Sequence, residues 1–356
     1  MLARGTPRLS LCRHLPAPRL SPALVASWAC LGIGLAWFMP TRAGAAEAPA
    51  TKTDQPPAEK AEVSPASLGK LTVTVADGYR TFESQGLPTH PTGQFPNRRN
   101  PNRISPQQYR FRVSLAPKAQ DHARPYAPSL FGVALNGVPF DPGTAEFWNN
   151  DRQSGWNYDA LSGKINLGID ASNAHVQPNG AYHYHGLPHG LLKQLHAGPE
   201  SMTLVGYASD GFPIYDVYGP SDPKDLKSAF KKLKPSYALR KGQRPAGREG
   251  PGGVYDGSFV QDFEYVPGLG DLDECNGRRG VTPEHPAGIY HYVLTESYPF
   301  IPRLLRGTPD PSFARRRGPP GGPGGGPGGG PGGGPPGGFP PPGPGRRGPP
   351  PPPPAG

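Results

Sequence analysis

The sequence predicts a mainly β fold: a single β-rich domain of many short strands with long loops and one or two short helices, from about residue 68 to residue 306. Three observations carry this. Gly and Pro number 51 and 52 in 356 residues. Many of them crowd the stretch from Gly318 to Gly356, yet the chain before it stays rich in turn formers and poor in long apolar helical patterns. Apolar alternation of period two recurs in short segments, most cleanly at Tyr109, Phe111, Val113 and Leu115, with Arg110 and Arg112 on the other face. Tight-turn dipeptides such as Asp77-Gly78, Asn136-Gly137 and Asp210-Gly211 separate these segments.

In chain order, Leu71 to Val75 alternates as a strand, and the Pro-punctuated stretch from Thr89 to Asn102 is a loop. Phe131 to Leu135 and Val138 to Phe140 form a hairpin around Asn136-Gly137, and Tyr158 to Ile169 reads as a second strand pair around Ser162-Gly163. Asn179 to Gly186 is a short strand bounded by turns. Ser201 to Gly206 and Phe212 to Tyr218 are extended. Lys224 to Lys234 reads as a surface helix with Asp222 as N-cap, Pro223 at the first position, and Leu226, Phe230 and Leu233 on one face. Gly288 to Thr295 closes the series as a strand.

Both ends differ in kind from this domain. Residues 1–45 read as an export signal: Arg4, Arg8, Arg13 and Arg19 precede an apolar run from Ala23 to Phe38, and Ala43-Gly44-Ala45 fits the small-residue cleavage rule. An uncleaved N-terminal anchor is the alternative. Residues 46–67 form a disordered linker, and residues 307–356 a disordered Arg/Pro/Gly-rich tail lacking the strict collagen period. No other apolar run approaches spanning length, which excludes a polytopic membrane protein. An exported protein is therefore expected in the periplasm, at the cell surface or secreted, with no membrane span after cleavage. Cleavage would remove Cys12 and Cys30 and leave Cys275 alone. The formal charge of +10 sits mostly outside the domain, where 25 Lys and Arg meet 22 Asp and Glu between residues 66 and 306. No nucleic-acid-binding face is required.

Histidine carries the chemistry. Five of ten histidines fall between His175 and His196, centred on Tyr182-His183-Tyr184-His185. In a strand, alternate side chains share a face, so His183 and His185 point one way and the two tyrosines the other. Two imidazoles on one strand face suit a transition metal, copper or zinc. His189, past the Gly186-Leu187-Pro188 turn, and His175, reaching in from the preceding loop, are further candidates. Tyr290-His291-Tyr292 repeats the pattern, and if the two strands pair, His291 completes a set of three nitrogens with an open position. The Asp271 to Gly277 run offers oxygens for Ca²⁺ but lacks EF-hand spacing, which makes calcium the lesser expectation. Cys275 beside these acids is a poor nucleophile, and no Gly-x-Ser-x-Gly elbow is present.

These motifs also carry a resemblance. From about Phe131 to Leu305 the chain resembles the YHYH-domain family, named for the tetrad at Tyr182 to His185. The segments Gly132 to Val138, Asn173 to Pro178, Asp210 to Tyr215, Gly270 to Gly277 and Gly288 to Tyr292 support the match. The resemblance implies an exported, bacterial-type protein and implies no activity. The expected function is transition-metal binding through His183, His185, His291, His175 and His189. The alternative is a metal-free module contacting an extracellular glycan or surface protein through exposed tyrosines, Trp148 and Trp156, with the tail as spacer.

Overall fold

The computed structural model describes residues 70–315. The signal and linker expectations, and the tail from residue 316 onward, lie outside the described residues. Strands β1 (Leu71–Ala76), β2 (Tyr79–Ser84) and β3 (Tyr109–Ser114) form a three-stranded antiparallel sheet. The turn between the first two uses Asp77 and Gly78, both at positive φ. Alternation works as the sequence requires: Phe82, Phe111 and Val113 are fully buried on one face, while Arg110 and Arg112 lie on the other. After the short β4 (Arg124–Pro125) the chain enters the main sheet through the expected hairpin, β5 (Gly132–Ala134) and β6 (Pro139–Phe140).

That sheet continues with β7 (Ala174–Val176) and β8 (Tyr182–Tyr184), followed by the short helix α1 (His189–Gln194), then β9 (Leu204–Ala208) and β10 (Pro213–Tyr215). Two ribbons follow outside it: β11 (Tyr218–Pro220) with β12 (Phe230–Lys232), and β13 (Tyr237–Leu239) with β14 (Phe263–Tyr265). The chain then returns through β15 (Gly277–Gly280) and β16 (Ile289–Val293), and β17 (Leu304–Leu305) pairs back with β4. The main sheet has eight strands in the order β15-β16-β10-β9-β5-β6-β8-β7. The β10–β16 and β6–β8 contacts are parallel and the rest antiparallel.

The large core cluster lies against this sheet. It contains Tyr182, Tyr184, Tyr290 and Tyr292 together with Phe131, Phe140, Phe212 and Ile214. The tyrosines of both Tyr-His-Tyr strands thus feed one core, and their histidines occupy the opposite face. Burying these rings satisfies their hydroxyls too. Tyr182 donates to Asp170 Oδ2 at 2.7 Å and Tyr292 to Asp210 Oδ2 at 2.5 Å, as buried phenols need partners.

Two expected elements are absent. Lys224 to Lys234 is not a helix: Lys224 N donates to Asp222 Oδ1 and Lys227 N to Asp225 Oδ1, making two successive side-chain-stabilised turns before β12. Short polar side chains compete with helical bonding in this way, and of the supposed apolar face only Leu233 is buried, too little packing for so short a helix. Tyr158 to Ile169 is not a strand pair either. Asp159 instead accepts from Leu161 N at 2.9 Å and folds the chain into a turn. The α-helix among the described residues is α1, a segment to which the sequence analysis assigns no element.

Residues 307–315, assigned from the sequence to the tail, are packed. Phe313 is fully buried and stacks on Phe111 with ring centroids 4.6 Å apart, and Arg315 pairs with Asp141. Replacing Phe313 with Ala is therefore expected to cost about 3–5 kcal/mol. Equilibrium denaturation measures this, and a cost under 1 kcal/mol would place the segment outside the cooperative unit.

Candidate metal centre

The antiparallel β7–β8 pair fixes the geometry. Its register sets His175 opposite His183, with Ala174 opposite Tyr184 and Val176 opposite Tyr182. His185, just past the strand, continues the ladder by donating its N–H to Asn173 O at 2.7 Å. His175 and His183 are thus a direct cross-strand pair, and His175 and His185 a diagonal one on the same face. The three rings form a near-equilateral triangle with centroids 4.7 Å apart on every side. One ring nitrogen from each can be chosen so that all lie within 4.8 Å of one another. Two nitrogens on a tetrahedral ion with bonds of about 2.0–2.1 Å sit roughly 3.4 Å apart, so small ring rotations close the set.

Burial sets the protonation state. His183 and His185 are 3% and 2% exposed, and His175 is half-buried. Desolvation pushes His183 and His185 well below the ordinary histidine value, and the neighbouring imidazoles add to the effect. His175 is lowered too, chiefly by burial, against the opposing pull of its bond to Leu167 and of Glu146, Asp141 and Asp170. All three rings are neutral at neutral pH, the form that ligates metal. Two have backbone partners, His175 Nδ1 with Leu167 O at 3.1 Å and His183 Nδ1 with Ala181 O at 3.2 Å. Those contacts direct each Nε2 lone pair elsewhere, as the outer partners of metal-bound histidines do. Neither ring nitrogen of His185 has a hydrogen-bond partner among the described residues.

The other candidates fall elsewhere. His291 lies on β16, separated from β8 by β10, β9, β5 and β6. At about 4.8 Å per strand that is roughly 24 Å, so the two Tyr-His-Tyr strands do not pair and His291 is not brought to the triangle. They converge on one core and not on one another, which repetition of a motif does not reveal. His189 is exposed at the start of α1 and opens onto a cleft of about 330 Å³ shared with Leu161, Asn173 and Phe300. His175, expected from a loop, comes from the neighbouring strand. The acidic run is internally neutralised: Asp271 pairs with Lys231, and Asp273 and Glu274 with Arg306. Asp210 is a buried turn acceptor for Tyr292, Gly307 and Phe212. Cys275 is buried, and its thiol is pushed up to about 12, first by desolvation and then by Asp273. Trp156 is buried, with its indole donating to Glu249 O, so it presents no ring to a glycan.

Sequence reading missed two ion pairs whose arginines bear electrostatically on His185. Asp141 N donates to Tyr184 O at 2.9 Å, and its carboxylate holds Arg315. Asp159 holds Arg303 at 2.6 Å. These groups come from four separated segments and no local spacing marks them.

The family model for "YHYH protein" matches residues 110–307, more than half of the chain. The chain is therefore a member of the YHYH family, and the matched residues include the β-rich main sheet and all three histidines of the triangle. No curated protein and no solved structure matches it. No helix among the described residues is long and apolar enough to cross a membrane.

His291 yields a pH prediction. Fully buried, it is lowered to about 3, chiefly by desolvation. Between there and the unfolded value of about 6.5 the unfolded chain binds the extra proton, so stability falls as pH drops through that window. In His291→Phe this component is removed, and the loss of stability between pH 6.5 and pH 4.5 is expected to be smaller than in the parent. Urea unfolding at both pH values measures the difference. Equal losses in the two proteins would contradict it.

Proposed function

We propose that this protein is an exported transition-metal-binding protein that holds copper or zinc at His175, His183 and His185. The observation carrying this is the triangle itself: three neutral imidazoles, two of them buried, with nitrogens within 4.8 Å of one another and His185 without a hydrogen-bond partner among the described residues. Leaving a buried polar group unpaired costs about 1–3 kcal/mol, a cost that ligation would remove. Imidazole donors without thiolate or thioether suit zinc and copper. Three protein ligands also leave a position for an exogenous group, as catalytic sites do and closed structural sites do not. A metal there would act as Lewis acid or lower the pKa of bound water, the basis for hydrolytic or oxidative chemistry. Export rests on the basic and apolar N-terminal segment with its Ala43-Gly44-Ala45 site.

Elemental analysis tests the reading directly. Purified full-length protein is expected to carry, or take up, about one zinc or copper per chain. His183→Ala with His185→Ala should lose it while keeping the parent far-ultraviolet circular dichroism. His291→Ala should retain it, because that residue lies across the sheet. Unchanged metal content in the double variant would refute the ligand assignment.

A further inference from the structure

We propose that β1 is a self-docking edge, at which two copies of this chain pair antiparallel through residues 71–75 with Val73 on the twofold axis. The inference does not rest on the metal reading. The order β1-β2-β3 leaves β1 at one side of its sheet. Lys70 O accepts from Gln85 N at 3.1 Å, and the register from Leu71↔Ser84 to Ala76↔Tyr79 continues that ladder without a bulge. Hydrogen-bonding direction alternates along an antiparallel strand, so Lys70, Thr72, Thr74 and Ala76 face β2. Leu71, Val73 and Val75 therefore turn their N–H and C=O groups to the open side, where no hydrogen bond reaches them among the described residues.

The other edges of the two larger sheets are guarded. On β3, Ser312 Oγ accepts from Arg112 N at 2.8 Å, and Phe313 stacks on Phe111. On β7, Val176 O accepts from the side chains of Asn100 and Asn102. At β15 the edge carries Arg278 and Arg279, and Val281 N donates to Pro223 O. No such device protects β1. Its six residues, Leu-Thr-Val-Thr-Val-Ala, include no charge and no proline, and all after Leu71 are exposed. Val73 and Val75 are 46% and 58% exposed, on the face that carries Phe82 and Phe111. A flat, uncharged, apolar edge of this length is a template for another strand.

The strand that fits this edge is β1 itself. Rotated about Val73, Leu71 of one copy meets Val75 of the other, and Thr72 meets Thr74. Apolar side chains then face apolar ones on one side of the joined sheet, and hydroxyls face hydroxyls on the other. Every outward-facing residue also meets an outward-facing residue, so the open N–H and C=O groups satisfy one another. The ends are complementary in charge. Lys70 of one copy comes opposite Ala76 of the other and beside its Asp77, and both charged residues are exposed and without an ion pair among the described residues. Pairing one patch with itself about a twofold axis closes the assembly at two copies. A contact confined to one strand is small, so the dissociation constant is expected on the order of 10 µM.

Sedimentation velocity of full-length protein, from about 1 to about 200 µM, tests the pairing and is expected to show a reversible monomer–dimer equilibrium. Val73→Lys sets two ammonium groups face to face at the axis, and Val75→Lys places one against Leu71. Each is expected to weaken the dimer about tenfold or more while keeping the parent far-ultraviolet circular dichroism, since both positions are exposed. Cross-linking tests the register. With oxidised glutathione, Val73→Cys is expected to give covalent dimer beyond the parent level, because directly paired residues lie about 5.5 Å apart, within disulfide reach. Val75→Cys is expected to give none beyond that level, since it sits about 13 Å from its own counterpart. A parent protein that stays monomeric throughout, a dimer that both lysine variants leave unchanged, or equal cross-linking at the two positions overturns the proposal. A monomer in which the Val73 and Val75 amides exchange slowly overturns it in favour of the chain's own residues before Lys70 as the occupant of the edge.

Discussion

The register of β8 is held by phenol hydroxyls, and the histidine face follows from that. Tyr182 and Tyr184 are fully buried, and each hydroxyl has a fixed partner. Tyr182 donates to Asp170. The Tyr184 oxygen accepts from Asn136 Nδ2 at 2.9 Å and lies 2.6 Å from His90 Nε2. Pro91 O can only accept, so His90 Nδ1 carries the proton in that contact, and in the neutral ring Nε2 accepts from the Tyr184 hydroxyl. A slip of one residue would exchange the faces, burying imidazoles in the tyrosine core and stranding three polar partners. The arrangement that seats the core therefore also selects which side chains point away from it.

Desolvation then gives the outward face its chemical character. Imidazoles left in water would be partly protonated near neutrality and would repel each other. Burial holds the protons off. The same enclosure makes any residual charge expensive, which explains why the nearby Asp141 and Asp159 are each matched by an arginine. Asp141 shows both forces at once: burial raises its pKa and Arg315 opposes the rise.

Much of this was legible in the sequence because it depends on period two. The strand identity of Leu71 to Val75, Tyr109 to Ser114, the Asn136-Gly137 hairpin and both Tyr-His-Tyr segments follows from alternation and turn chemistry, and so does the opposition of tyrosine to histidine. What failed was of another kind. The Lys224 to Lys234 helix satisfied local rules for capping and spacing, but of its apolar residues only Leu233 is buried in a core cluster, and burial is a tertiary fact. The placing of His291 with His183 required strand order, which alternation does not encode. His175 was found as a candidate without its strand. Arg303 and Arg315 carry no local signature, since each is positioned by a partner far off in sequence, Asp159 and Asp141.

The β7–β8 connection turns on Gln177 to Gly180. Gly180 N bonds Gln177 O at 2.8 Å, Gln177 N bonds Ala181 O, and Gly180 takes φ +85°. Ser105 packs so close that a side chain on Gly180 would overlap its hydroxyl. This hairpin has neither slack nor room to grow. The spacing from His175 to His183 therefore acts as a ruler: with Tyr182 and Tyr184 pinned, a residue gained or lost in the turn would move His175 off its partner and bring a core-facing neighbour opposite. The cluster is as sensitive to chain length as to the identity of its ligands. Three histidines at other separations, however rich the segment, would not reproduce it.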